Sequence, residues 1–321
     1  MPGNVSLGSV ITTPLTLQRV RAAAERARPY VRRTPVVPLN GGAPHWLKLD
    51  NLQPTGSFKV RGYAAAALAL PTERLRAGLR TVSAGNAAAA CAYVAHGLQI
   101  PCRVVMVDSA PAPKVEAVER WGAEREPMER TAMFRWMAEA GWERSPEAFL
   151  HPHLDTELAA GHGGLGLEVL EQVPDLERVV VPVGGGGLAT GVAAAVHGVR
   201  PDVQVVGVIS GGYPMWQQAL ERGAPVQLSP HTIADGVAAP CNQVVLDRLR
   251  ESVDRWIVVP EARLRAAIPE LAGRAKVVAE GAGALAYAAL DQLQDDRPTV
   301  ALVTGGNIDP GLLRELLATG E

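Results

Sequence analysis

Short runs of β-branched residues alternate along the chain with alanine-rich stretches. Each run is bounded by Gly, Pro or charged residues, and most runs are apolar at every position rather than at every second one. Strands of this kind are covered on both faces, as in parallel sheets flanked by helices. The pattern predicts strands at Arg80–Ser83, Arg103–Asp108, Arg178–Val183, Val203–Ile209, Trp256–Val259 and Thr299–Thr304.

The alanine-rich stretches between these runs predict helices. Gly97 and Gly198 stand where a glycine commonly ends a helix. Repeated strand–helix–strand units of this kind predict an α/β protein with parallel sheets. The predicted helices are Tyr63–Leu70, Ala87–His96, Leu188–His197, Glu261–Val278 and Gly283–Leu290.

Composition and charge narrow the classes of function. With 321 residues, 47% of them hydrophobic, the chain has material for about two domains and a sizeable core. The net charge of −2 comes from mixed acidic and basic residues without a run of one sign, which argues against nucleic acid or a membrane as partner. The N-terminus lacks a signal-peptide pattern, and Cys91, Cys102 and Cys241 show no metal-ligand spacing. We therefore expect a cytoplasmic protein with cysteines that are small buried hydrophobes.

One lysine, Lys59, lies in the weakly charged segment Asn51–Gly62, just before an alanine-rich helix. Most lysines are solvated surface residues. Here Phe58, one of only three phenylalanines, precedes the lysine, and Gly62 allows tight packing behind it. These neighbours make Lys59 a candidate for chemistry.

The segment Thr81–Ala90 runs from a strand through small residues into a helix. Exposed N–H groups at such a helix start attract a carboxylate or a phosphate, and Asn86 adds an amide donor. The alternative is a plain turn in which Asn86 only caps the helix.

The third segment places four glycines, Gly184–Gly187, between a strand and a helix. Consecutive glycines cost backbone entropy on folding, so a plain loop rarely uses them. They allow backbone amides to approach a phosphate closely, and the dipole of the following helix adds attraction. No Lys-Ser/Thr pair follows, and the spacing is not that of a dinucleotide fingerprint. A phosphate site is favoured over a flexible hinge.

The fourth segment is the end of the last predicted strand, Thr304–Asn307. Ligands of open α/β sheets gather at the carboxyl ends of the strands, where Thr304 would lie. A simple turn at the strand end is the alternative.

In this order and spacing, the segments resemble the fold-type II pyridoxal-phosphate (PLP) enzymes, specifically the threonine/serine dehydratase and serine racemase family. The similarity spans nearly the whole chain. It implies a tryptophan synthase β-like α/β fold with two open, twisted, mainly parallel sheets covered by helices. A large PLP-binding domain would comprise residues 1–75 and 148–321, a small α/β domain residues 76–147, and the active site would lie in the cleft between them. The motifs that carry the resemblance are Asp50–Gly62, Ser83–Asn86, His151-Pro152, Gly184–Leu188, Thr232–Gly236, Glu280–Ala284 and Thr304–Asn307.

The resemblance also implies roles for individual residues. Lys59 would carry PLP as a Schiff base, and Phe58 would stack on the cofactor ring. Asn86 would hydrogen-bond the ring hydroxyl, and Thr304 the pyridine nitrogen. The other expected cofactor-binding residues are Gly184, Gly185, Gly186, Gly187 and Leu188 at the phosphate, together with Gly236 and Glu280. The expected substrate-binding residues are Ser83, Ala84, Gly85, Asn86 and Ala87 at the carboxylate, together with His153.

The implied reaction is the removal of water from a small β-hydroxy amino acid such as L-threonine or L-serine. The protein supplies placement, and Lys59, once displaced by the substrate amine, acts as general base. The products are a 2-oxo acid and ammonia. Alternatives are a dehydratase for 3-hydroxyaspartate or phenylserine, a serine racemase, a β-replacement enzyme similar to cysteine synthase, and a PLP-binding protein without turnover. A homodimer is expected from the resemblance alone.

Several positions depart from the family pattern. Ala84 replaces the serine that racemases use as second base, so racemisation should be weak. Ile209 and Met215 stand where relatives with a divalent cation have acidic ligands, so no Mg²⁺ or Ca²⁺ is expected there. His153 replaces an aromatic residue beside the substrate side chain; it favours a polar or acidic substrate, or it simply packs between the domains. Ala87 replaces a histidine. Only residues 308–321 follow Asn307, so we expect no regulatory domain and no feedback inhibition by isoleucine.

Overall fold

The structure, a computed structural model, describes residues 14–39 and 43–319. Most of the N-terminal segment that lacks a signal-peptide pattern, and residues 40–42 and 320–321 of the predicted large domain, lie outside this range. No helix within the described residues is long and apolar enough to cross a bilayer.

Ten strands in the described part of the chain form two sheets. The larger sheet has the order β1-β2-β10-β7-β8-β9 and is parallel except for the pair β1–β2; the smaller has the order β5-β4-β3-β6 and is parallel throughout. The larger sheet comprises β1 (Val36–Pro38), β2 (His45–Leu49), β7 (Arg178–Pro182), β8 (Gln204–Ser210), β9 (Arg255–Val259) and β10 (Thr299–Val303). The smaller comprises β3 (Leu79–Val82), β4 (Cys102–Val107), β5 (Glu124–Met128) and β6 (Ala148–Phe149).

Each of the six predicted strands is present, with both ends within one residue of the prediction. The predicted α/β class with two mainly parallel sheets is thereby confirmed. The strands that the sequence missed, β1, β2, β5 and β6, are short, amphipathic or polar. β1 and β5 are edge strands, and β5 has the sequence Glu-Arg-Glu-Pro-Met, which lacks the apolar pattern of a covered strand.

Helices cover both sheets. Those that begin before β6 are α1 (Leu17–Ala27), α2 (Lys59–Ala67), α3 (Thr72–Arg76), α4 (Asn86–Leu98), α5 (Ala112–Glu119) and α6 (Arg130–Ala138). Those after it are α7 (Thr156–Gln172), α8 (Gly187–Val199), α9 (Met215–Arg222), α10 (Gln243–Ser252), α11 (Glu261–Glu270), α12 (Gly281–Ala288) and α13 (Pro310–Thr319).

Three details of the helix predictions were wrong. The helix predicted to end at Val278 ends at Glu270, because Pro269 is followed by a π-turn and Lys276 adopts a positive φ of 60°. Gly97 and Gly198 lie inside α4 and α8 rather than ending them. They are required by packing, since a Cβ would lie 2.6 Å from the Tyr30 ring at Gly97 and 2.7 Å from Leu17 Cβ at Gly198.

The two helices α7 and α8 pack backbone against backbone. A Cβ at Gly163 would lie 2.5 Å from the carbonyl oxygen of Gly191, and a Cβ at Gly191 would overlap the carbonyl oxygen of Ala159. A Cβ at Gly161 would lie 2.5 Å from the carbonyl oxygen of Arg61 in α2. Glycines therefore set the distances between α7 and its two neighbours. These are α2, which begins at Lys59, and α8, which follows the tetraglycine turn Gly184–Gly187.

A buried ion-pair network supports the start of α2. The Arg61 guanidinium contacts the Asp50 carboxylate through Nε at 2.6 Å and through a second nitrogen at 2.8 Å, and also pairs with Glu168 in α7. Lys48 in β2 pairs with the same Glu168. Because burial opposes charge and Arg61 favours it, the pKa of the fully buried Asp50 is lowered on balance. The network ties the end of β2 to the segment that carries Lys59.

The three cysteines are free thiols. Cys91 in α4 and Cys102 in β4 are buried with their sulfurs 3.8 Å apart, and Cys241 is half-buried. Mutual contact and burial raise the pKa of Cys91 well above its usual value, which fits the prediction of small buried hydrophobes rather than reactive thiols.

Candidate active site

Lys59 is the first residue of α2 and lies at the carboxyl end of β10. The preceding residue, Phe58, donates its N–H to the carbonyl oxygen of Thr304 at 2.9 Å, and Ser57 forms an isolated β-bridge with Gly305. The Lys59 Nζ atom lies 4.8 Å from the centroid of the Phe58 ring. Two of the segments singled out in the sequence are thus joined by main-chain hydrogen bonds.

The amine of Lys59 has unusual electrostatics. Burial lowers the pKa of Lys59 to about 8, although the carboxylate of Glu280 opposes the shift. At pH 7 roughly a tenth of such a lysine is neutral, far more than of a solvated lysine. A neutral amine is the form that attacks a carbonyl, so this residue is suited to bind an aldehyde.

The tetraglycine turn connects β7 to α8, as predicted. Gly186 adopts a positive φ of 79°, which favours glycine. A Cβ at Gly184 would lie 2.7 Å from Val237 Cα, and one at Gly185 would overlap the ring nitrogen Nδ1 of His153. A Cβ at Gly187 would meet no protein atom closer than 3.8 Å. The first three glycines are therefore required by the protein itself, whereas a Cβ at the fourth would make only ordinary van der Waals contacts with His162 and Ala159.

The N-terminus of α8 is suited to an anion. The first N–H groups of a helix lack intrahelical acceptors and carry the positive end of the helix dipole. Gly187 and Leu188 provide such groups, while the Thr190 hydroxyl donates back to the carbonyl oxygen of Gly186 at 3.0 Å. The turn thus has the form of a cradle for a phosphate.

Asn86 is not the N-cap of α4. Gly85 occupies that position without a side-chain hydrogen bond, so the alternative of a plain cap was wrong. Instead the Asn86 amide donates to Glu280 Oε1 at 2.7 Å, and its oxygen accepts from Asn307 Nδ2 at 2.7 Å. The two bonds fix the side chain of Asn86 against Glu280, the carboxylate that acts on the charge of Lys59.

Glu280 immediately precedes α12 and is buried. Burial raises the pKa of Glu280 to about 7, and the charge of Asp235 adds to the shift, while the hydrogen bond from Asn86 opposes it. Gly305 leaves room for this carboxyl, because a Cβ there would overlap Glu280 Oε1. Gly236 lies nearby, with its missing Cβ 3.8 Å from the same oxygen. The structure therefore brings Gly236 and Glu280 together beside Asn86.

The loop Ser83–Gly85 follows β3. The Gly85 N–H donates to the Ser83 hydroxyl at 3.1 Å, and a Cβ at Gly85 would meet no protein atom within 4 Å. Ala84 is half-buried and Ala87 is buried in α4. The loop thus borders open space at the N-terminus of a helix, where a carboxylate is favoured.

Thr304 lies directly after β10 and is almost fully buried. Its hydroxyl donates a long hydrogen bond of 3.4 Å to the carbonyl oxygen of Ala282, which leaves the oxygen free to accept another. The position agrees with the expectation that a polar group stands at the carboxyl end of this strand.

Three histidines, His151, His153 and His162, lie in or just before α7, and the charge of Lys59 acts on the last two. His151 Nδ1 accepts the N–H groups of His153 and Leu154, both at 3.2 Å. His162 packs edge-on against Phe58 with ring centroids 4.7 Å apart. Burial, together with the charges of Lys59 and His151, lowers the pKa of His153 to about 3. Burial also lowers the pKa of His151 and of His162, so the three imidazoles are neutral near pH 7.

Ile209 and Met215, where the resemblance implied acidic cation ligands in some relatives, are buried in a hydrophobic cluster and supply no oxygen. No group of three His, Cys, Asp or Glu side chains suited to a metal occurs among the residues that the structure describes.

The sequence did not single out two contributors to the site. Asn307 donates to both Asn86 and the carbonyl oxygen of Thr55, at 2.7 and 2.8 Å. Asp235 pairs with Lys114 of α5 at 2.7 Å and acts on the charge of Glu280. The sequence feature that could have identified Asn307 is its place after the strand-terminal glycines. The pair Lys114–Asp235 joins segments 121 positions apart, so no local sequence feature indicates it.

A scan of protein-family models matches residues 27–305 to the model described as pyridoxal-phosphate dependent enzyme. The chain belongs to this family. The family uses the cofactor that the resemblance implied, so that prediction is confirmed.

Proteins similar to this chain support the same family assignment. This pyridoxal-phosphate dependent enzyme is 37% identical to an L-threonine ammonia-lyase of Geobacter sulfurreducens over 307 residues, which cover 92% of this chain and 76% of that protein. Its structure is similar to that of a threonine deaminase from T.th., with a TM-score of 0.84, 36% identity, and coverage of 92% and 99% of the two chains. It is also similar to maize serine racemase, with a TM-score of 0.87, 30% identity, and coverage of 95% and 98%.

Proposed function

We propose that the chain is an ammonia-lyase that removes water from L-threonine, L-serine or a similar small β-hydroxy amino acid. The products are a 2-oxo acid and ammonia. The observation that carries the proposal is the amine of Lys59, which has a lowered pKa and is joined through Phe58 to the end of β10. The L-threonine ammonia-lyase that matches 92% of the chain supports the choice of reaction.

The residues present fit pyridoxal phosphate. Lys59 would provide the amine for the aldehyde, and the N–H groups of Gly184–Leu188 at the start of α8 would hold the phosphate. Phe58 would cover the ring, Asn86 would hydrogen-bond the ring hydroxyl and Thr304 the ring nitrogen, while Gly236 and Glu280 lie beside Asn86. When bound, the cofactor supplies an electron sink for the α-carbon.

The chain's own residues do the rest. Lys59 would take the α-proton as general base, which its lowered pKa favours. The loop Ser83–Ala87 binds the substrate carboxylate on its N–H groups and the Ser83 hydroxyl. Ala84 offers no second base on the opposite face, so we expect elimination to exceed racemisation.

The arrangement of the whole protein follows the same proposal. The large domain comprises residues 1–75 and 148–321 and the small domain residues 76–147, with the cleft between them. β6 pairs with β3, so Ala148 and Phe149 are better assigned to the small domain. The homodimer and the cytoplasmic location expected from the sequence stay predictions, and light scattering of the purified protein tests the first.

The experiment is a substrate panel with pyridoxal phosphate present. The panel comprises L-serine, D-serine, L-threonine, the 3-hydroxyaspartates and phenylserine. We expect 2-oxo acid and ammonia in equal amounts from at least L-threonine or L-serine, and none from the Lys59→Ala variant. A product that forms only when sulfide is added would indicate β-replacement instead. A Schiff-base absorbance band without turnover on any substrate would indicate a binding protein, and either result would refute the proposal.

A further inference from the structure

His153 lies between the tetraglycine turn and Lys59. Its Nδ1 atom occupies the space that a Cβ at Gly185 would fill, and the charge of Lys59 acts on its ring. The residue is half-buried. It therefore forms part of the cleft wall between the predicted phosphate site and the reactive amine.

The two ring nitrogens of His153 have different surroundings. Nδ1 is shielded from solvent and has no hydrogen-bond partner in the described part of the chain, whereas Nε2 is not closed off in this way. A buried N–H without an acceptor costs more than a buried lone pair without a donor. The proton therefore resides on Nε2, and Nδ1 holds its lone pair against Gly185.

The imidazole is also neutral near pH 7. With a pKa of about 3, set by burial and by the neighbouring Lys59 and His151, only about one molecule in 10⁴ carries the imidazolium at this pH. So small a population makes His153 a poor general acid. What remains available on the accessible side of the ring is a neutral N–H donor.

We infer that Nε2–H of His153 donates a hydrogen bond to the β-oxygen of the substrate and stabilises the charge that develops there as the carbon–oxygen bond breaks. The inference rests on the proposed elimination. A substrate whose α-carbon is within reach of Lys59 would carry its β-substituent one carbon further, and His153, which feels the charge of Lys59 and contacts Gly185, is the cleft residue that we assign to it. The α-proton passes to Lys59, the bond's electron pair goes to oxygen, and the oxygen leaves as water with the proton that Lys59 returns.

Two substrates with different leaving groups test the inference. L-serine needs help for its departing oxygen, whereas β-chloro-L-alanine loses chloride, which needs no hydrogen bond. We expect His153→Phe to lower kcat/KM for L-serine about tenfold, the worth of one hydrogen bond, and to change the value for β-chloro-L-alanine less than about twofold. His153→Gln, which keeps an N–H donor, should recover part of the loss. His197→Gln, at a histidine that bonds Asp254 on the surface, is the matched control and should change neither value.

The outcomes separate the inference from the proposed function. If the wild type eliminates water from L-serine but His153→Phe is unchanged, or loses both substrates equally, the inference fails and the proposed function stands. If the wild type eliminates chloride but yields no 2-oxo acid from any hydroxy amino acid, the proposed function fails and the inference with it.

A second measurement does not depend on turnover. In the cofactor-free protein labelled with ¹⁵N-histidine, the signals lost in His153→Phe identify this residue. We expect the ¹⁵N pattern of the Nε2–H tautomer, without titration between about pH 6 and pH 9. An Nδ1–H tautomer, or a midpoint near the ordinary histidine value of about 6.5, would overturn the inference.

Discussion

Asn86 Nδ2 donates a hydrogen bond of 2.7 Å to Glu280 Oε1 and so joins the first residue of α4 to the residue before α12. The carboxyl that accepts this bond has a pKa of about 7, raised from 4.5 chiefly by burial. The folded protein therefore holds this proton more tightly than the unfolded chain does. The stability that Glu280 contributes is present below about pH 4.5 and is lost as the pH rises through about 7.

The first prediction follows from that sign. Glu280→Gln removes the charge that forms at high pH, so the variant should gain stability relative to the wild type as the pH rises. Between about pH 5 and pH 8.5 the difference should grow by on the order of 2–3 kcal/mol, seen as a rise of several degrees in relative melting temperature. Glu73→Gln, at an exposed position of α3, is the control. A difference that is the same at both pH values would refute the assigned pKa.

The second prediction concerns the rate at which the cofactor-free protein reacts with pyridoxal phosphate. Only the neutral amine of Lys59 attacks the aldehyde, so the rate should rise with pH with a midpoint at about 8 rather than at 10.5. Stopped-flow absorbance measures this rate. In Glu280→Gln the midpoint should move lower, because the carboxylate that favours the ammonium is gone; a midpoint above about 10 in the wild type would show that Lys59 is solvated.

The third prediction distinguishes the roles of two adjacent glycines, Gly186 and Gly187. Gly187→Ala places a methyl group where no protein atom lies within 3.8 Å, so stability should change little while the dissociation constant for pyridoxal phosphate rises at least tenfold. Gly186→Ala forces alanine to a φ of 79° and against Val245, so the cofactor-free protein should lose about 1–3 kcal/mol. Urea denaturation and absorbance titration measure the two effects. Equal stability losses would contradict the difference in packing between the two positions.

The fourth prediction concerns the ion pair beneath Lys59. Asp50→Ala removes one of the two carboxylate partners of the buried Arg61 guanidinium, with Glu168 remaining, and should cost about 1.5–3 kcal/mol in urea denaturation. Arg33→Ala breaks an exposed pair with Glu171 and should cost less than about 1 kcal/mol. Similar losses in the two variants would mean that burial does not govern the energy of the Asp50 pair.

Much of the fold could be predicted because its central strands are apolar on both faces. That signal is local, and it placed β7 and β10 to within one residue. The helix α7 escaped notice because it contains Gly161, Gly163, Gly164 and Gly166, which lower helix propensity. Tertiary packing requires those glycines, and local helix propensities do not take such packing into account.

In the candidate site, too, local features could be predicted from the sequence and long-range contacts could not. The four glycines and Asn86 were singled out because they stand at predicted strand–helix junctions, and Lys59 because of its weakly charged segment and its neighbours Phe58 and Gly62. The hydrogen bonds from Asn307 to Asn86 and from Asn86 to Glu280 connect residues 221 and 194 positions apart. The raised pKa of Glu280 and the lowered pKa of Lys59 depend on burial, which appears only when the chain is folded.

The contact between Gly163 and Gly191 has a consequence for the cleft. Close backbone contact sets the spacing of α7 and α8, and so helps to position the helix start that we propose as the anchor for the phosphate. A single added methyl group at either position would separate the two helices and spoil the alignment of anchor and amine. The absence of a Cβ at Gly163 and Gly191 therefore helps to position the two parts of the cleft relative to each other.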